Sequence, residues 1–303
     1  MVSPALREYH FQQAARAKEV YVESMISAQA GKDWRDAHTA ARRQVTAALR
    51  ATHYLRDIPT GLRENGQHLM VLRHLMAPPI SQDQFALLCA EYPKRAEITG
   101  KGLNPTAGES VARAFMLGRD RVLTRWLDGN RQPTSHEIRN LLRGIVPLLS
   151  VQNTATVRRG RMSVEQEGAV IALLNARGWV RQSSGLISQL TDVKPLHFLH
   201  KARFATKTRP QEVDIACGLP GTVVLAMECK VTNDETNSVK RINDVLKKAA
   251  AWQTHWGSFV RTAALLQGVI AFKDVERLLE GQVEVFWSHD LAAFENWLAA
   301  EGC

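Results

Sequence analysis

The sequence predicts an α/β protein: a helical N-terminal region followed by a part in which short strands and helices mix. Three observations carry that expectation. Residues 4–55 read as helices with few breakers, and helix-start signals recur through the first 150 residues. From residue 163 the periodicity reads helix, strand, strand, strand, helix, strand. Within that order, 211–230 (QEVDIACGLPGTVVLAMECK) reads as two strands joined by a tight turn. The expected division falls between 1–150 and 151–303.

In chain order, Gly31-Lys32-Asp33 marks the expected break between two helices of 4–55. A third helix is expected over 64–76, where Leu69, Leu72 and Met76 share a face and Ala77-Pro78-Pro79 stops it. Three capping boxes follow: Ser81 to Gln84 opens a helix to about Glu91, Thr106 to Glu109 one to about Leu127, and Thr134 to Glu137 a third. Arg113, Arg119, Arg121 and Arg125 are expected to be exposed, either on a DNA reader or on a solvated scaffold. Residues 151–162 read as a polar link ending in a basic cluster. Ser163 to Gln166 reads as another capping box, with Glu167 in the first turns of its helix. A strand is expected within 179–190 and a long basic loop over 191–209. After the hairpin, Val239, Ile242, Leu246, Ala249, Gln253 and Trp256 lie near one helical stripe. A strand at 260–269, a short helix at 273–280, a strand at 283–287 and a final amphipathic helix at 289–300 complete the chain.

The hairpin carries the chemistry. Thr222 to Glu228 is β-branched and apolar, and side chains alternate along a strand, so Val224, Ala226, Glu228 and Lys230 share a face. Asp214 lies on the partner strand. Two carboxylates and an ammonium thus converge at one end of an apolar hairpin. Unpaired charge is costly to bury. A shared hard divalent cation relieves that cost, and Mg²⁺ prefers oxygen ligands. The bland alternative is an exposed ion pair.

Charge points to the partner. The chain of 303 residues carries a net charge of +9. Residues 1–150 hold 21 Lys and Arg against 14 Asp and Glu, and 158–209 hold ten against three, while 211–303 hold eight against thirteen. Positive charge before the hairpin favours a polyanion such as DNA. With no run of eighteen apolar residues, no membrane span is expected. The polar first residues do not suit a secretory signal, and four scattered cysteines without a CxxC pair suit a reducing cytoplasm. The ten histidines show no ligand spacing, with His197 and His200 expected in the loop. Trp252 and Trp256 suit a core, and no glycine loop of the Walker type is present.

An Asp, a spacer and then Glu-x-Lys resembles the PD-(D/E)xK nuclease superfamily, with Asp214, Glu228 and Lys230 as the match and Val213 where a proline often stands. Wording further out is similar to the XamI family of type II restriction endonucleases: Ala77 to Ser81, Gln166-Glu167, Glu228 to Asn233 and Thr236 to Asn243. That resemblance implies a restriction-endonuclease-like core, a central mixed sheet flanked by helices, after a helical DNA-binding or dimerisation region. It implies Mg²⁺-dependent, site-specific cleavage of double-stranded DNA.

Asp214 and Glu228 would then hold Mg²⁺, with the carbonyl of Cys229 a further ligand. Lys230 would orient and deprotonate the attacking water or stabilise transition-state charge. Glu167 is either an additional site carboxylate or a helix-start glutamate favoured by the dipole. Asn233, Asn237, Ser238, Lys240 and Arg241, at the start of the helix after the active strand, suit phosphates and base edges, or else capping and a solvated face. A C2 homodimer and a cognate DNA methyltransferase are the expected partners. A DNA repair or structure-specific nuclease of the same fold, or a non-catalytic DNA-binding protein, is the alternative.

Overall fold

The computed structural model describes residues 2–303. The chain forms two compact units, Met1–Ser27 with Arg159–Cys303, and Ala28–Arg158. The first helix therefore belongs with the later part of the chain and not with the helices that follow it.

The unit of Ala28–Arg158 is helical. It contains α2 (Ala28–Ala51), α3 (Ile58–Glu64), α4 (His68–His74), α5 (Gln82–Leu88), α6 (Lys94–Thr99), α7 (Pro105–Gly118) and the first half of α8 (Ser135–Ala176). The capping box of Ser81 and Gln84 is formed at the start of α5, as is that of Thr134 and Glu137 before α8. Asn104, not Thr106, caps α7, which ends at Gly118 instead of running on to 127. Leu69, Leu72, Phe85, Phe115 and Trp126 centre the core. Arg119, expected to be exposed, is buried and donates to Thr124 and Asp128, while Arg113, Arg121 and Arg125 are exposed.

The other unit is built on a mixed sheet of seven strands. Its elements are α1 (Pro4–Met25), β1 (Val180–Arg181), β2 (Leu186–Ile187), β3 (His197–Phe204), β4 (Gln211–Leu219), β5 (Val223–Thr232), α9 (Glu235–Trp256), β6 (Val260–Gly268), α10 (Phe272–Glu280), β7 (Glu284–Trp287) and α11 (Leu291–Ala300). Strand order is β1-β3-β4-β5-β6-β7, with β2 also beside β3. The β3, β4 and β5 pairings are antiparallel, because short turns join these strands. The β5, β6 and β7 pairings are parallel, because α9 and α10 supply the crossovers. Gly221, at φ 74°, makes the β4–β5 turn. Val170 and Leu174 of α8 and Phe294 and Leu298 of α11 pack on one face with Ile215, Leu225 and Met227. Helix α9 covers the other face: Ile242, Val245 and Ala249 meet Ala264 and Leu266, and Trp252 meets Val224 and Ala226.

Four further local expectations are corrected. The first break falls at 26–27, not at Gly31. The stretch 64–76 is divided between α3 and α4. Residues 151–162 are part of α8, so the box at Ser163 lies mid-helix, where Gln166 instead donates to the Leu265 carbonyl and to Ser288. The expected loop of 191–209 contains β3, whose Phe198 and Phe204 are buried.

Candidate active site

Alternation and register place the central carboxylates. Pairing of β4 with β5 runs from Leu219↔Val223 to Ile215↔Met227 and stops there. Beyond that point the Cys229 N–H is free of β4, and the Asp214 carboxylate accepts it at 2.8 Å. Glu228 lies on the α9 side, 0% exposed. Its Oε2 accepts from Lys230 Nζ at 2.7 Å and from Lys248 Nζ, on α9, at 2.8 Å. Lys230 also donates to Asp244 on α9 at 3.0 Å. Lys248 and Asp244 sit four residues apart, so one turn of α9 reaches down to both charges of β5.

The second carboxylate group is nearer α8. Glu167 is buried and mid-helix, so the helix-start reading of it does not hold. Its Oε1 accepts from Ser163 Oγ at 3.1 Å and from Lys201 Nζ at 2.7 Å, and its Oε2 lies 2.7 Å from His200 Nε2. Lys201 also donates to Asp214 at 2.6 Å, joining the two carboxylates.

The titration behaviour follows from this packing. Burial raises the Glu228 pKa, with Asp214 adding to the rise while Lys230 and Lys248 oppose it. Burial alone would lower Lys230, but Glu228, Asp214 and Asp244 outweigh it and hold the ammonium protonated. Burial, reinforced by Asp214, Glu167 and Glu228, pushes the Cys229 thiol well up, so its sulfur is no thiolate and only its carbonyl suits a hard cation.

Glu228 Oε1 is the orphan of the cluster, a buried carboxylate oxygen with no hydrogen-bond partner. An oxygen cluster with an unsatisfied anionic atom beside a second carboxylate fits a hard divalent cation. Among the described residues no group of three or more His, Cys, Asp and Glu is placed to hold a metal ion. The fit is therefore to an ion carried by one or two carboxylates plus water and phosphate oxygens, the usual manner of Mg²⁺.

Asn233, Asn237, Lys240 and Arg241 line a cavity of about 230 Å³ together with Arg159 of α8. Ser238 is the exception. It is fully buried and donates to Asp274 at 2.9 Å, so packing accounts for it and it faces no ligand. The first turn of α9 is capped by Asp234, which accepts from the Asn237 N–H at 2.8 Å. An anion would therefore meet the side chains of the cavity and not the helix end itself.

Sequence reasoning brought together Asp214, Glu228 and Lys230 but missed His200, Lys201, Asp244, Lys248 and Arg159. The spacing of Asp244 and Lys248 around the buried Val245 and Ala249 was a usable signal; the position of Lys201 was not, because its partners are 34 and 13 residues away.

Comparison with known proteins adds the family. The XamI restriction endonuclease family model matches residues 53–287. This chain belongs to the XamI restriction endonuclease family. It is by class a type II restriction endonuclease, and every site residue named above lies within the matched stretch. The type II restriction enzyme XamI of Xanthomonas campestris pv. amaranthicola is 28% identical over 193 residues, 62% of this chain and 67% of that protein. The crystal structure of protein VC1899 from Vibrio cholerae aligns with 91% of this chain and 58% of its own at 12% identity and a TM-score of 0.31. The chain thus spans little more than half of that protein, and this likeness carries no argument about the XamI family member described here.

Proposed function

We propose that this protein makes Mg²⁺-dependent, site-specific double-strand cuts in DNA by phosphodiester hydrolysis. The observation that carries the reading is Glu228. A fully buried carboxylate with one oxygen on two ammoniums and the other orphaned beside Asp214 has no purpose in packing alone, and it fits a cation site. Asp214 and Glu228 are the residues that would hold the ion, with the Cys229 carbonyl a further ligand. Bound there, the ion would supply Lewis acidity toward a phosphoryl oxygen and lower the pKa of water.

The chain's own groups do the rest. Lys230 serves the reaction by orienting the attacking water and stabilising negative charge on the phosphoryl oxygens. Asp244 and Glu228 fix its ammonium in place. Glu167 and Asp214 share the Lys201 ammonium in the structure as it stands. Arg159, Lys240 and Arg241 bind the phosphodiester backbone, and Asn233 and Asn237 reach toward base edges. As water adds to phosphorus, one P–O bond forms and one breaks, leaving a phosphate and a hydroxyl end. Two copies in a C2 homodimer would cut both strands of a palindromic site, and a methyltransferase of the same specificity would protect the host DNA.

The test is digestion of unmethylated plasmid and phage DNA with Mg²⁺. Discrete, reproducible fragments are expected. A smear, or cutting confined to flaps and other irregular structures, would replace this reading with that of a repair nuclease.

A further inference from the structure

Lys201 has no part in the cleavage chemistry above, yet its backbone is unusual. It lies in the middle of β3 at φ 58°, in the left-handed region that a side-chain-bearing residue seldom adopts within a strand. The β3–β4 ladder pairs His200↔Ile215 and Ala202↔Val213 but not Lys201 with Asp214 between them. Consecutive residues of a regular strand point to opposite faces. Here His200 and Lys201 are consecutive and both reach Glu167, at 2.7 Å each. The local twist is what puts the second of them there.

The result is an ammonium set between two carboxylates, 2.7 Å from Glu167 and 2.6 Å from Asp214. Asp214 is one of the two residues assigned above to the divalent ion. Its Oδ2 is committed to the Cys229 N–H, and its Oδ1 is the atom that Lys201 occupies. An ammonium and a divalent cation cannot share that oxygen without strong repulsion. The Lys201 side chain is 52% exposed, so it can swing away without unpacking the core. Glu167 would remain held by Ser163 and His200.

We propose that Lys201 is a resident counter-cation of the carboxylate pair, which competes with the divalent ion and has to release Asp214 before that ion is held. The inference rests on the metal reading of Asp214 and Glu228. It makes Lys201 a positioning residue with two opposed effects. It stabilises the metal-free protein, and it weakens metal binding. A merely structural lysine would move both quantities in the same direction.

The experiment measures Mn²⁺ binding to the DNA-free protein from the electron paramagnetic resonance of the free ion, beside melting temperatures in EDTA and in Mn²⁺. Lys201→Met is expected to bind Mn²⁺ about tenfold more tightly than wild type, a modest factor because the half-exposed ammonium is screened by water. It is expected to melt lower in EDTA and to gain more from Mn²⁺. Lys201→Arg, which keeps the charge, is expected to bind no more tightly than wild type. If Lys201→Met does not fold, Lys201→Gln removes the charge while keeping a donor, and the same tightening is expected. Tightening in either neutral variant supports the proposal. Unchanged or weaker binding in a folded neutral variant, where wild type binds and Asp214→Asn does not, overturns the role of Lys201 and leaves the metal reading standing. No Mn²⁺ binding by any of the proteins overturns both.

Discussion

Lys248→Met tests the electrostatics of the site without touching either of its motif carboxylates. Lys248 Nζ is one of two donors on Glu228 Oε2, at 2.8 Å, and its side chain is 16% exposed against 0% for Glu228. Methionine keeps most of the stem and removes the charge. Breaking a buried pair outright costs about 3–5 kcal/mol. Lys230 remains on the same oxygen at 2.7 Å, so the loss is that of one charge-assisted hydrogen bond, about 2 kcal/mol at neutral pH.

The pH dependence has a definite sign. Burial already raises the Glu228 pKa, and Lys248 is one of the groups opposing that rise. Without Lys248 the value climbs further. A carboxyl whose folded pKa is raised contributes stability below its unfolded pKa and loses it as pH rises through the folded value. The gap between wild type and Lys248→Met should thus be smaller at pH 5 than at pH 8. Urea unfolding in EDTA at both values measures it. Equal stability at pH 8, or a gap that does not narrow in acid, would show that Glu228 is not the charge that Lys248 serves.

Three further outcomes are expected. Asp214→Ala and Lys230→Ala should each abolish cleavage while leaving specific DNA binding, read by gel shift in Ca²⁺; cutting by Asp214→Ala at near the wild-type rate would move the active site elsewhere. Arg159→Ala and Arg241→Ala should weaken DNA binding by a similar factor across sequences and each lower the salt slope by about one, whereas a changed sequence preference would make them base readers. His10, buried and accepting from Trp287 at 3.1 Å, has its pKa pushed down to about 4 by burial, so it contributes stability that is lost as pH falls from about 6.5 toward 4, about 3 kcal/mol in all; His10→Gln should flatten that acid limb, and an unchanged limb in urea titrations would clear His10 of it.

The hairpin was legible because every local signal agreed. A β-branched run, a turn glycine and charges confined to one end specify two strands and a polar tip, and β4 and β5 follow. The elements after it were legible for the same reason, from α9 to α11. The stretch 151–162 was not, because its Val151 and Val157 are exposed and its other residues are mostly polar, so no buried apolar stripe distinguishes this part of α8 from a link. Strand β3 was hidden by Lys201 and Arg203, whose charges project from a strand that buries Phe198, Leu199, Ala202 and Phe204. Arg119 was misjudged because its partners Thr124 and Asp128 lie in an irregular turn that no periodicity announces. What local reading could not supply was pairing across elements, and the site depends on it.

That pairing sets a charge balance. Four carboxylates, Glu167, Asp214, Glu228 and Asp244, face three ammoniums, Lys201, Lys230 and Lys248, and each ammonium touches two carboxylates or shares one. The cluster is close to neutral as it stands, which offsets the cost of burying Glu228 fully. On the readings proposed above, a divalent ion displaces the Lys201 ammonium, which leaves four carboxylates facing two ammoniums, and its two charges bring that cluster to balance. DNA without the ion would set its phosphate against Asp214 and Glu228. Metal and substrate should therefore favour each other's binding by the same factor, as linkage requires.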